Sequence, residues 1–302
     1  MKLIMENWRR FLTEEEERSF DLEKILGAEY TKFVGWLGNN IKDEKVRKFI
    51  AAGLDDGGEP GDDAFAFSEA AVAVSKLIPT QNEVDIDKSL AYPLVNTQGK
   101  GFVQNVSSNG PFTLGDPIVI FNGKWIIDGH HRWSQLYACN KSASITAVNM
   151  TIEGIDPLKA LKAVQMSIGT QTGEIPVQSV EGVNLLTIDE RQLAQWIKTS
   201  VPTETYETIA AAPAVMKLLI PSEPEGDQSP GMNEGAQMQS AMVQAGLIRL
   251  INSNIESMQQ TSQPVKGAGP RDFMPQTGGV TWQEPLEKGE IDVKPPFAKA
   301  AE

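Results

Sequence analysis

Cysteine is almost missing from this chain: Cys139 is the only one in 302 residues. A lone cysteine excludes an intramolecular disulfide and a zinc cage of thiolates from one chain, in agreement with a reducing compartment. Histidine is nearly as scarce, with two residues that stand side by side as His130 and His131. Basic residues are outnumbered, 27 against 40 acidic ones, for a formal net charge of -13. Nonspecific nucleic-acid binding rests on many Lys and Arg side chains neutralising phosphates, so the bulk charge gives DNA no support as a partner, although a local basic groove is compatible with an acidic protein. No run approaches the ~18 consecutive apolar residues of a membrane-spanning helix. The opening MKLIMENWRRFLTEEEERS also lacks the unbroken apolar stretch of a secretion signal. Neither GxGxxG nor GxxxxGK followed by Ser or Thr occurs, so a nucleotide would have to bind by another route. These absences point to a cytoplasmic protein, or one inside a larger soluble assembly, with no membrane contact.

What is present is ordinary for a globular chain, 40% hydrophobic and 22% charged. Its length permits a sizeable core in one or two domains. The first third reads as a helical segment, 1–54: Leu3, Ile4, Trp8, Phe11 and Leu12 follow a helical spacing, and two further amphipathic stretches come after. DDGGEPGDD, 55–63, is an acidic linker. Short β-prone pieces then lead to Pro79, followed by a short helix capped by Asp85 or Asp87. Ile118 to Phe121 and Lys124 to Ile127 flank Asn122-Gly123, the dipeptide suited to the positive φ angles of a tight hairpin turn. Both arms are apolar enough to be deeply buried. Ser144 to Ile152 reads as a strand, and the next helix has Asp156 as cap and Pro157 in its first turn. Helices resume from Leu186, over TIDERQLAQWIKTSV, around Tyr206 to Leu219, and from Gln237 to Gln259. The remainder, 261–302, is rich in Pro, Gly and Gln and is expected to be a flexible tail. The fold class is α/β in the α+β sense, with a central domain over 64–175 and a helical region over 176–260.

The chemistry concentrates in DGHHRW, where a strand hands over to a helix. Trp133, Leu136 and Tyr137 share one face of that helix and would be buried. Asp128 would then be the N-cap, with His130, His131 and Arg132 in the first turn. A helix N-terminus carries partial positive charge and unpaired N–H groups, so cations there are disfavoured by ~0.3–1 kcal/mol each. An anion reverses that penalty. A phosphate would accept backbone N–H bonds and pair with Arg132, while the imidazoles would donate further bonds or relay a proton. Gly129 would let the backbone come close to it. Asp128 would repel a phosphate unless it caps the helix or meets it through a bridging Mg²⁺. Two imidazoles satisfying loop carbonyls are the structural alternative. Zinc is disfavoured, because neighbouring helix positions diverge by about 100° and no third histidine exists. Cys139, a couple of turns along, reads as a small buried apolar residue.

Strand, DGHHR and helix together resemble the ParB/sulfiredoxin superfamily, and more closely its ParB-like nuclease group with a DGHHRW motif. AVSKLIPTQNEVDIDKS, 73–89, resembles the opening strand, turn and helix of that family. The likeness covers about a third of the chain. It implies a ParB/sulfiredoxin-like domain with a mixed sheet that binds nucleotide phosphates. Sulfiredoxin chemistry is not implied, since His130 stands where the family's catalytic cysteine would be. The arginine-rich version of the motif found in chromosome-partitioning ParB proteins is also absent. The best match at the motif is to the phosphotransferases of the superfamily. The resemblance implies a hydrolase of the nuclease kind or a phosphotransferase, with Mg²⁺ and ATP, ADP or CTP. Asp128 would hold the metal or take a proton, and His130 and His131 would join it in catalysis. Gly129, His130, His131, Arg132 and Gln81 would bind the phosphates, and Glu83 is the nearest candidate for a carboxylate base. MKLIMENWRRFL resembles the short helical leader of several tailed-bacteriophage proteins, some of them packaged in the head, and GPRDFMPQT, 269–277, resembles the termini of phage-encoded DGHHRW proteins. That implies an infected host's cytoplasm or a place in the virion among phage head proteins. A non-enzymatic, head-packaged binding module is the alternative to the enzyme.

Overall fold

Asn122 and Gly123 turn the chain with φ of 48° and 67°, the left-handed pair of a tight turn that the Lys124 N–H closes on Phe121 O at 3.1 Å. They join β3 (Ile118–Phe121) to β4 (Trp125–Asp128). In the computed structural model, which describes residues 63–172, 177–178, 182–220, 232–273, 277–289, 291 and 293, this hairpin lies inside a five-stranded sheet. β1 (Ala66–Ala73), β2 (Ile78–Pro79) and β5 (Ser144–Thr151) complete it in the order β1-β5-β3-β4-β2. β1 with β5 and β3 with β4 are antiparallel, whereas β3 with β5 and β2 with β4 are parallel. The α+β class expected from the sequence is therefore present, with a mixed sheet. The helices expected over 1–54, and all of the linker except Asp63, lie outside the described residues.

In chain order the helices are α1 (Ile86–Ala91), α2 (Lys100–Val106), α3 (His130–Cys139), α4 (Pro157–Thr172), α5 (Glu190–Ser200), α6 (Thr203–Ala210), α7 (Pro213–Leu219), α8 (Met232–Thr261) and α9 (Gln283–Glu287). Strand periodicity sorts them into two layers, because successive side chains point to opposite faces. Ile118, Ile120 and Ile126 face one way and share a core with Leu90, Phe102, Trp133, Leu193, Ile209 and Leu247. Val119, Phe121 and Ile127 face the other way, against Ala160, Ala163 and Val164 of α4. The helical region expected over 176–260 contributes Leu193, Ile209 and Leu247 to the same core as the sheet. Asn254 of α8 donates to the carbonyls of Ala138 and Cys139, at 3.0 and 3.2 Å, and closes the C-terminal end of α3. No helix among the described residues is long and apolar enough to cross a membrane.

The sequence signals for caps hold where the side chain has a helix to serve. Asp85 Oδ1 accepts from the N–H groups of Asp87 and Lys88, at 2.7 and 3.2 Å. Asp156 Oδ1 does the same for Leu158 and Lys159, at 2.9 and 3.0 Å, with Pro157 opening α4. The flexible tail is corrected for its described residues. Trp282, Leu286, Ile291 and Val293 are buried in the second core. Trp282 meets Phe67 edge-on at 5.5 Å between ring centres. The Phe65 N–H donates to Leu286 O at 2.9 Å, and the Val293 N–H to Asp63 Oδ2 at 2.5 Å. Composition alone misled here. A few large apolar side chains, well spaced along a Pro- and Gly-rich segment, suffice to dock it on a sheet face.

Trp282→Ala is accordingly expected to destabilise the protein by about 3 kcal/mol or more, the cost of truncating a buried Trp. A urea midpoint unchanged from wild type would show instead that this segment is a pendant tail.

Candidate functional site

At the end of β4 the register with β3 slips. Val119 pairs with Asp128, but Ile120 pairs with Ile126. Ile127 is the extra residue of a β-bulge, a device that re-aims the strand end. Gly129 then turns with φ of 92° and opens α3 as its N-cap, with no side chain capping it. A Cβ at this position would come within 2.5 Å of Ile118 Cγ2. Glycine is needed here for the positive φ and for packing against β3, rather than only for approach to a ligand. Asp128 is therefore not the helix cap expected from the sequence, because the glycine is interposed and the carboxylate is used elsewhere.

Both imidazoles act as acceptors. His130 Nε2 accepts from the Thr80 N–H at 3.2 Å, and His131 Nε2 accepts from the Asp85 N–H at 3.2 Å. Each ring is thus the Nδ1–H tautomer, with Nδ1–H as its donor. The pair stitches the start of α3 to the loop between β2 and α1, and it satisfies loop N–H groups where carbonyls were the expected partners. His130 is 6% exposed. Burial, then the neighbouring His131 and Arg271, push its pKa down to about 3. It stays neutral at physiological pH and makes a weak general base.

Arg132 turns back along its own helix. Nη2 donates to Asp128 Oδ2 at 3.0 Å, and Nη1 to the carbonyls of Asp116 and, at 3.3 Å, Pro117. Thr277 Oγ1 donates to the same Asp128 oxygen at 3.0 Å. The carboxylate is thereby paired inside the protein, a third way of living beside an anion besides capping or a bridging metal. Among the described residues no three His, Cys, Asp or Glu side chains converge as metal ligands do.

In front of α3 opens a cavity of about 740 Å³. Gln81, Asp128, Gly129, His130, His131 and Arg132 all line it, so the structure brings together every expected site residue except Glu83. Glu83 is half-buried and lies outside the lining, while its carbonyl accepts from Gln81 Nε2 at 2.7 Å. Sequence reasoning missed Lys159, Lys162 and Gln165 of α4, and Arg271 and Thr277 beyond α8. The two lysines left a signal: with Leu158, Leu161 and Gln165 they fall on one stripe of α4, basic residues threaded among apolar ones. Arg271 and Thr277 lie inside GPRDFMPQT, which reads only as a likeness to phage proteins, and only the tertiary fold returns them to the motif. The lining holds four permanent cations, Arg132, Lys159, Lys162 and Arg271, against the carboxylates Asp128 and Asp156. Cys139 is buried as expected, and burial pushes its thiol up to about 12, which leaves it unreactive.

Because the folded pKa of His130 lies below its unfolded value near 6.5, the unfolded chain takes up the proton first. The stability this neutral ring confers is complete above about pH 6.5 and is lost as pH falls toward 3. Between pH 7 and 5 the wild type should lose roughly 2 kcal/mol more stability than His130→Gln, measured by urea unfolding. Equal losses in the two proteins would mean that this ring does not titrate as its burial requires.

Compared with family models, with curated proteins and with solved structures, the chain matches none.

Proposed function

We propose that the protein binds a phosphate-bearing small molecule, a nucleotide such as ATP, ADP or CTP, in the cavity at the head of α3. The observation that carries this reading is a concentration of charge. In a chain of net charge -13, four cations and an uncapped helix start line one cavity. Oriented N–H groups and the helix dipole favour an anion there, and low-dielectric walls focus the field of the cations. The volume falls in the ~300–1,000 Å³ range of small-molecule sites. Leu158, Leu161 and Ile168 of α4 supply an apolar wall for the part of the ligand that is not phosphate. A cavity of this volume suits a single nucleotide better than a duplex.

Phosphoryl transfer or phosphodiester cleavage, the chemistry implied by the resemblance to ParB-like proteins, would need a base. His130 is held neutral and deeply buried, and the Nε2 of His131 is occupied by the Asp85 N–H. Glu83 stands outside the cavity. Asp128 is the remaining carboxylate of the motif, and a chemical step would run through it. Mg²⁺ carried in by a nucleotide would meet Asp128 as the carboxylate of the motif, with phosphate oxygens and water making up its shell. The imidazoles' acceptor role favours the second reading, a non-enzymatic binding module that holds its ligand without turning it over.

Titration calorimetry tests the binding. ATP, ADP or CTP should give a saturable heat that weakens as salt rises, and Lys162→Ala should weaken it several-fold. No heat with any of the three, with and without Mg²⁺, would sink the proposal. Hydrolysis or transfer that disappears in Asp128→Asn would separate the enzyme from the binding module.

A further inference from the structure

One wall of this cavity comes from chain more than a hundred residues beyond the motif. After α8 the Val265 N–H donates to Pro79 O at 3.0 Å, and the Asn82 N–H donates to Gly269 O at 2.9 Å. Asn82 Nδ2 adds a bond to Ala268 O at 3.0 Å, and Gly269 bridges Gln81 in parallel. Residues 265–269 therefore lie along the edge that β2 leaves open, fastened to the loop whose N–H groups the two histidines hold. Further on, Thr277 donates to Asp128, and Trp282 and Leu286 are buried under the sheet. Between these two attachments stands Arg271, in the lining with Gly129 and His130.

The motif's own guanidinium is directed elsewhere, to Asp128 and to the carbonyls of Asp116 and Pro117. Arg271 presents its charge close enough to the first residue of α3 to act on the His130 ring. Five donors in a planar fork let one guanidinium grip a phosphate while it keeps a contact to protein. Resting on the phosphate reading above, we infer that Arg271 is the guanidinium ligand of the bound phosphate, and that the ligand pins the segment carrying it against the motif. The site is then built from two distant stretches of sequence, and occupancy is coupled to docking of the later one. A ligand that binds only the docked arrangement must stabilise it, up to about 100-fold at a concentration a hundred times its Kd.

The test uses the full-length protein with inorganic pyrophosphate and with ATP as probes. Arg271→Ala should weaken both by about 10- to 100-fold, the loss of one charge-assisted partner, and Arg271→Lys should recover part of it. In wild type either probe should slow amide hydrogen exchange across residues 265–271, and in Arg271→Ala it should not. Binding by Arg271→Ala within about twofold of wild type would overturn this inference while leaving the phosphate site standing. Exchange in wild type that ignores a saturating probe would overturn it too, and that measurement decides the matter even if the variant folds poorly. Wild-type protein that binds neither probe would remove the phosphate reading and this inference together.

Discussion

Two hydrogen bonds hold the site together: the backbone N–H groups of Thr80 and Asp85 donate to the imidazoles of His130 and His131, across 50 and 46 residues of chain. A buried backbone N–H without a partner is costly, and a loop between a two-residue strand and a short helix has no ladder to supply one. The imidazoles supply it. Asp85, once fastened, caps α1 through one oxygen and accepts the Gly182 N–H at 2.8 Å through the other. Thr80 adds a bond from Oγ1 to Ile126 O at 2.6 Å, tying the same loop to β4. Adjacent histidines on neighbouring helix positions point in different directions, and that divergence lets one pair reach both ends of a single loop.

The same bonds govern the electrostatics. An imidazole that accepts at Nε2 keeps its proton on Nδ1, and His130, whose pKa burial depresses to about 3, adds no positive charge to the helix start. The permanent cations do that work, and they come from different parts of the chain. Arg132 and Asp128 neutralise each other at 3.0 Å, which removes the motif carboxylate as an obstacle to an incoming anion. Lys159, Lys162 and Arg271 then leave the cavity positive within a protein that is acidic as a whole. Acidic surroundings around one basic cavity repel polyanions in general while favouring a small anion that fits.

Much of the fold was legible in the sequence because it depends on short-range rules. Asn122-Gly123 forced a hairpin, Asp85 and Asp156 capped helices, and Trp133, Leu136 and Tyr137 marked the buried face of α3. At the motif the short-range rules were not enough. Asp128 has the chemistry of a cap and sits one residue too early, because a bulge at Ile127 and a left-handed Gly129 shift where the helix begins. Composition also failed between 277 and 293, where Pro and Gly suggest disorder while Trp282 and Leu286 bury themselves against the sheet.

The sequence by itself determined that His130, His131 and Arg132 open a helix after an apolar hairpin, since periodicity and turn chemistry act over a few residues. Only the tertiary structure decided what those side chains do. Whether an imidazole donates or accepts, and whether a guanidinium faces a ligand or its own carboxylate, depends on which distant groups fold against it. Arg271 and Thr277 show the reason most plainly: burial of Trp282 and Leu286, an unspecific force spread over a sheet face, carries two polar side chains to a motif about 140 residues away, and no local pattern records that meeting.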